Sequence, residues 1–235
     1  MDELPPDLDD LMREILEIPS PEVRLAGLAQ TREILERQLD EARVSELHRL
    51  RAIHRAEQAH SDDASLDEYE LEVQVTHLLP KVVRGGMVLA IWSTLEACTK
   101  DWAAYAATQT GSTLDPAHFK AGSFVEASDR AFHSLLRISA YATQDMKASL
   151  SRLAAIRAAL VHHNGNIAAL PTDLREGNLL ALEAEGLYIE RDLHHSYFVP
   201  SAAFVERNLS IVAEHLSSLS VRVKAALRIS TKRDA

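Results

Sequence analysis

From Pro21 to His60 the chain reads PEVRLAGLAQTREILERQLDEARVSELHRLRAIHRAEQAH, with apolar residues at 25, 28, 35, 39, 47, 50 and 53. The spacings are mostly 3, 4 or 7, the period of one helix face, so the segment predicts a long helix or a helix pair. The heptads are not sustained, which favours an amphipathic element packed on its own domain over a partner-binding coiled coil.

The same period continues along the chain. Residues 6–18 predict a short helix that stops at PSPE, and SDDASLDE after His60 is a polar break. From Leu66 the helical pattern runs to about Thr108, with Pro80 and Gly85-Gly86 predicting a boundary or kink. TQTGSTLDPAHFKAGS reads as a loop, and a third helical region covers roughly 128–163 with one break near Ala142. LYIE and YFVP then suit a small hairpin, and a last helix spans about Ser201 to Leu227. The expected fold class is therefore all-α: an acidic N-terminal helical arm, residues 1–65, followed by a helical domain, residues 66–235. Composition agrees, because aromatics make up only 5% and glycine is scarce.

Charge is unevenly spread. Residues 1–80 hold 20 acids against 8 Lys/Arg, net −12, and the rest hold 15 against 17, net +2. The overall −10 therefore does not exclude a local phosphate site. A single cysteine, Cys98, excludes an internal disulfide and a thiolate-rich metal site. The N-terminus lacks a signal-peptide pattern, and the longest apolar run, MVLAIW, is far short of a membrane span. These features predict a soluble protein of the cytoplasm with no membrane partner.

The chemistry concentrates in RLAAIRAALVHHNGNIAAL, residues 152–170. At about 100° per residue from Leu150, Leu153 falls near 300°, Leu160 near 280° and Val161 near 20°, with Arg157 inside that arc near 340°. A salt bridge or a stem reaching to the surface would account for the arginine structurally. Asn164-Gly165 is a helix stop, so His162 and His163 occupy the last turn, where the helix terminus favours positive charge. An arginine that binds phosphate in bidentate fashion, beside a histidine, suits phosphodiester chemistry.

This segment resembles HEPN domains. RAALVHHNG matches their R-x4-6-H signature through Arg157 and His162, with Gly165 following. LLPKVVRGGMVLAIWSTLEACTKDW is similar to the earlier helix of several HEPN families, where Pro, Arg, small residues and Glu recur as at Pro80, Arg84, Gly85 and Glu96. The resemblance covers about residues 70–227. It implies a helical bundle, usually dimeric, with the R…H motifs of two subunits facing each other. It also implies a metal-independent endoribonuclease, often a toxin or defence effector with an antitoxin or other partner protein, and no cofactor. Arg157 would hold the scissile phosphate of RNA and His162 would move a proton, with His163, Asn164, Glu96 and Arg84 in supporting roles. Active members usually carry Asn, Asp or His directly after the arginine, whereas this chain has Ala158. Either His163 or Asn164 takes over that role, or the domain is a non-catalytic HEPN module that binds a protein partner or nucleotide.

Other signals are weaker. His194-His195 and His162-His163 are adjacent pairs, and adjacent helical residues diverge, so each pair offers one metal ligand at best and no metal site is expected. Trp92, Trp102 and Tyr105 at helical spacing read as core rather than as a base-stacking platform. Arg84 and Glu96, about 120° apart on one helix, read equally well as surface charges.

Overall fold

The long amphipathic stretch folds as one helix, α1 (Pro21–Glu57), rather than a pair. Pro21 begins it, where the missing N–H would be unpaired in any residue. Only one stripe turns inward: Leu39 and Leu50 are buried, and most other positions are exposed. The computed structural model describes residues 18–57, 78–112, 123–172, 179–184, 186–191 and 196–233. Residues 6–17 of the expected helix at 6–18 and the helical pattern at 66–77 lie outside these residues.

Helix α2 (Leu79–Gln109) starts at the boundary expected near residue 80 but runs through Gly85-Gly86 without the interruption those glycines suggest. Pro80 is the second residue of that range, and its fixed φ suits the start of a helix. Glycine costs about 1 kcal/mol relative to alanine in a helix, but burial of Met87, Val88, Ile91 and Trp92 just beyond offsets it. Gly85 also permits close approach, since the Leu160 side chain lies 3.7 Å from where a Cβ would stand.

The third helical region divides as its sequence suggests, into α3 (Phe124–Leu136) and α4 (Gln144–His163). Ser123 caps α3 by accepting from the Glu126 amide at 3.2 Å, and the Thr143 hydroxyl accepts from the Met146 amide at 3.1 Å as α4 begins. The segment between them is held from two sides. Asp129 accepts from Ser139 Oγ and the Ala140 amide, while Arg222 donates to the carbonyls of Ser139, Ala140 and Tyr141.

After α4 come a 3-10 turn (Ile167–Ala169), a short helix α5 (Leu179–Ala184), strands β1 (Leu187–Arg191) and β2 (Ser196–Pro200), and α6 (Ala202–Arg233). The strands pair antiparallel from Leu187↔Pro200 to Arg191↔Ser196, so LYIE and YFVP do form the small hairpin. Gly186, at φ 95°, makes the tight entry to β1; a Cβ there would stand 2.5 Å from Ser201 Oγ. That hydroxyl is occupied, accepting from the Phe204 amide at 3.0 Å to cap α6.

The described structure is mostly helical, as an all-α chain requires, and none of its helices is long and apolar enough to cross a membrane. It forms two compact units. The first draws on residues 1–25, 93–151 and 211–235, and the second on 26–92 and 152–210. Trp102, Phe132, Leu150 and Leu216 are fully buried in the first, and Ile91, Leu153, Ile156, Phe198 and Phe204 in the second. Trp92 and Trp102 are core residues, and Trp102 meets Tyr105 edge-on at 5.7 Å.

Candidate functional site

The end of α4 belongs to the second unit and is built from its burial pattern outward. Leu153, Ile156 and Ala159 are buried at three-residue intervals, and Leu160 is half-buried against Gly85. Arg157 is half-buried at the edge of this stripe rather than inside it, because the buried arc runs from Leu150 through Leu153 and Ile156 to Ala159 and leaves Val161 exposed. No ion pair or hydrogen bond joins its side chain to another of the described residues. A guanidinium with no carboxylate partner can donate its N–H groups to an oxyanion.

Val161, His162, His163 and Asn164 are exposed. The two imidazole rings are 6.4 Å apart and inclined at 69°, so they present separate nitrogens rather than one stacked face. Their backbone is tightly specified. Asn164 and Gly165 are both left-handed, at φ 51° and 77°, where Asn and Gly are the least strained residues. The helix stop thus uses two consecutive left-handed residues rather than Gly165 alone. The Gly165 amide donates back to Ala159 O at 2.9 Å, and the Asn166 amide to His163 O at 2.9 Å. The Phe198 amide of β2 donates to Gly165 O at 3.0 Å, and Asn166 forms an isolated bridge with Tyr197. A Cβ on Gly165 would lie only 3.1 Å from Phe198 O, so the hairpin and the helix end share one fixed junction.

Two residues absent from the sequence-based set border that junction. The Lys81 stem reaches within 3.8 Å of the Gly165 Cβ position, and its ammonium lies 4.3 Å from the centroid of the Tyr197 ring. Neither position carries a local sequence signal; α2 and β2 bring them to the turn.

Arg84 is engaged with Glu36 of α1 through two hydrogen bonds, Nε to Oε1 at 2.9 Å and a terminal nitrogen to Oε2 at 2.7 Å. The Glu36 contact raises the Arg84 pKa against the opposing effect of burial, with smaller contributions from Asp40 and Tyr188. Its guanidinium serves α1 rather than the end of α4. Glu96 is half-buried in the first unit. His194 and His195 fall outside the described residues, among which no three His, Cys, Asp or Glu side chains gather as metal ligands. The structure therefore brings Arg157, His162, His163 and Asn164 to one helix end, and ties Arg84 to another element.

No family model matches the sequence, and no curated protein or solved structure matches it at a significant level.

Proposed function

We propose that the chain is a metal-independent endoribonuclease of HEPN type that cuts RNA phosphodiesters with Arg157 and His162. The observation that carries this reading is the unpartnered, half-buried Arg157 one and a half turns before a rigidly held, exposed histidine pair. Arg157 would bind the non-bridging oxygens and offset the charge that grows on phosphorus in the transition state. Imidazole nitrogens at His162 would take the proton of the 2′-hydroxyl as its oxygen attacks phosphorus. The bond to the 5′-oxygen then breaks, the protonated imidazole of His162 returns that proton to the oxygen, and the products are a 2′,3′-cyclic phosphate and a 5′-hydroxyl. His163 or Asn164, on the same helix end, would take over the orienting role that Ala158 cannot fill. The biological role that fits is a toxin or defence effector, acting as a homodimer and held in check by an antitoxin or other partner protein.

A second reading is a catalytically inactive HEPN module that binds a protein partner or nucleotide. Ala158 favours it, since this residue lies one turn before His162 and offers no hydrogen bond to orient the imidazole. Incubation of the purified protein with total RNA, with and without EDTA, separates the two. The nuclease reading expects chelator-resistant cleavage with cyclic phosphate ends. Intact RNA at high protein concentration in both conditions would leave the binding module.

A further inference from the structure

Residues 137–143 join α3 to α4 in the first unit and lie outside any helix or strand. Side chains hold this segment in place. Asp129 of α3 accepts from Ser139 Oγ at 2.7 Å and from the Ala140 amide at 2.9 Å. Arg222 of α6 donates to the carbonyls of Ser139, Ala140 and Tyr141 at 2.7, 2.6 and 3.0 Å. The Tyr141 hydroxyl donates to Val125 O at 2.9 Å, and the residue is buried.

Against the Tyr141 ring lies His215 of α6. The two ring centroids are 5.1 Å apart, the rings are inclined by only 22°, and His215 is 1% exposed. Its Nδ1 has no hydrogen-bond partner among the described residues. Arg222, two turns along the same helix, adds a fixed positive charge. Asp129 acts on Arg222 and is ion-paired to Lys147 of α4 at 2.8 Å, and the Lys147 ammonium stands 5.8 Å from the Tyr141 ring centroid. Burial raises the Tyr141 pKa, so its hydroxyl stays neutral. Two cations thus already share the Asp129 carboxylate. A proton on His215 would add a third, with no acceptor at Nδ1. Tyr141 covers the imidazole, and the segment that carries it has no backbone ladder of its own. Lifting that segment hydrates His215 at lower cost than unpacking α6.

We propose that residues 137–143 are an acid-released latch: when His215 takes up a proton, Tyr141 lifts away and Arg222 releases the loop carbonyls, while α3 and α6 stay folded. The latch involves none of the residues of the nuclease reading and does not rest on it. Burial, and then the Arg222 charge, lower the His215 pKa to about 4 in the closed form, against an ordinary 6.5. The closed form is therefore fully favoured above pH 6.5 and weakens progressively as pH falls to about 4. Linkage raises the opening constant about 25-fold from pH 7.5 to pH 5. Asp129 is not the trigger. Burial raises its pKa, but hydrogen bonds from Lys147, Ser139 and Ala140 outweigh that and hold it below the ordinary value, so it stays ionised in mild acid.

Hydrogen–deuterium exchange of the full chain at about pH 7.5 and about pH 5, corrected for intrinsic rates, tests the latch. The Ala140 and Tyr141 amides, which donate to Asp129 and to Ser139 Oγ, are its reporters. Their protection should fall about 25-fold in acid, while the amides of α3 and α6 keep theirs. His215→Phe leaves a ring against Tyr141 but takes no proton, so protection in this variant should not change with pH. His215→Gln serves the same end should His215→Phe melt early. A loss of protection spread evenly over α3, the segment and α6 would mean general unfolding and overturn the proposal. So would wild-type protection that is independent of pH, or the same acid loss in a folded variant.

Discussion

At the residue scale, Arg157 and His162 should be separable from the fold. Arg157 has no described ion-pair partner and His162 is exposed, so Arg157→Ala and His162→Ala should each cost about 1 kcal/mol or less. In a domain of this size that is a shift of about 2–4 °C in Tm. RNA cleavage should be abolished in both, read on the same preparations as the melts. A loss near 3 kcal/mol for Arg157→Ala would instead mark it as a member of a buried ion pair. His215 leads to a different expectation. It is buried on α6, stacked 5.1 Å from Tyr141, and its Nδ1 has no hydrogen-bond partner among the described residues. Burial, aided by the Arg222 charge, lowers its pKa to about 4 from an ordinary 6.5. As pH falls below 6.5 the unfolded chain takes up the proton first. Stability from this group is therefore complete above pH 6.5 and lost progressively down to about 4, by about 3 kcal/mol at most. His215→Phe should flatten the fall in Tm between pH 6.5 and 4.5; an unchanged slope would show that other groups carry the acid sensitivity.

At the scale of elements, two glycines that look alike in sequence should respond in opposite directions. Gly86 sits inside α2 with nothing within 4 Å of a Cβ position, so Gly86→Ala should stabilise by about 1 kcal/mol. Gly165 holds φ 77° and faces Phe198 O at 3.1 Å, so Gly165→Ala should destabilise by about 1–2 kcal/mol or more. Chemical denaturation of the two variants measures both signs. This pair also shows where sequence reading succeeds. The turn at Asn164-Gly165 was legible because its signal is local: a polar, then a permissive residue after a buried stripe. The glycines of α2 read as a break because the burial and the Leu160 contact that hold the helix together there are tertiary. The hairpin and the division between α3 and α4 were likewise legible from periodicity and caps, whereas the last helix, expected to end near Leu227, continues to Arg233. The engagement of Arg84 with Glu36, 48 residues away, and the placing of Lys81 and Tyr197 at the Gly165 turn were not, because no local pattern encodes a long-range partner.

At the scale of the whole molecule, composition changes along the chain, but each compact unit draws on stretches far apart in sequence. A charge gradient records which segments are acidic and holds no information on which distant segments meet. The same limit applies one level higher, to the number of chains in the active unit. Arg157 and His162 lie on one helix five residues apart, about 140° around its axis and about 7.5 Å along it. The backbone of α4 and the fixed turn after it leave little freedom to swing both side chains onto one phosphate. A two-fold contact between copies removes the conflict, since the arginine of one chain then meets the histidine of the other. Exposed Val161, four residues after Arg157 and so on nearly the same face, is an apolar group that such a contact would cover. Mixing inactive Arg157→Ala protein with inactive His162→Ala protein, after confirming subunit exchange, should therefore restore part of the activity, because each heterodimer carries one intact site. No recovery would mean that each chain uses its own pair, and a monomer by sedimentation at working concentration would end the shared-site arrangement.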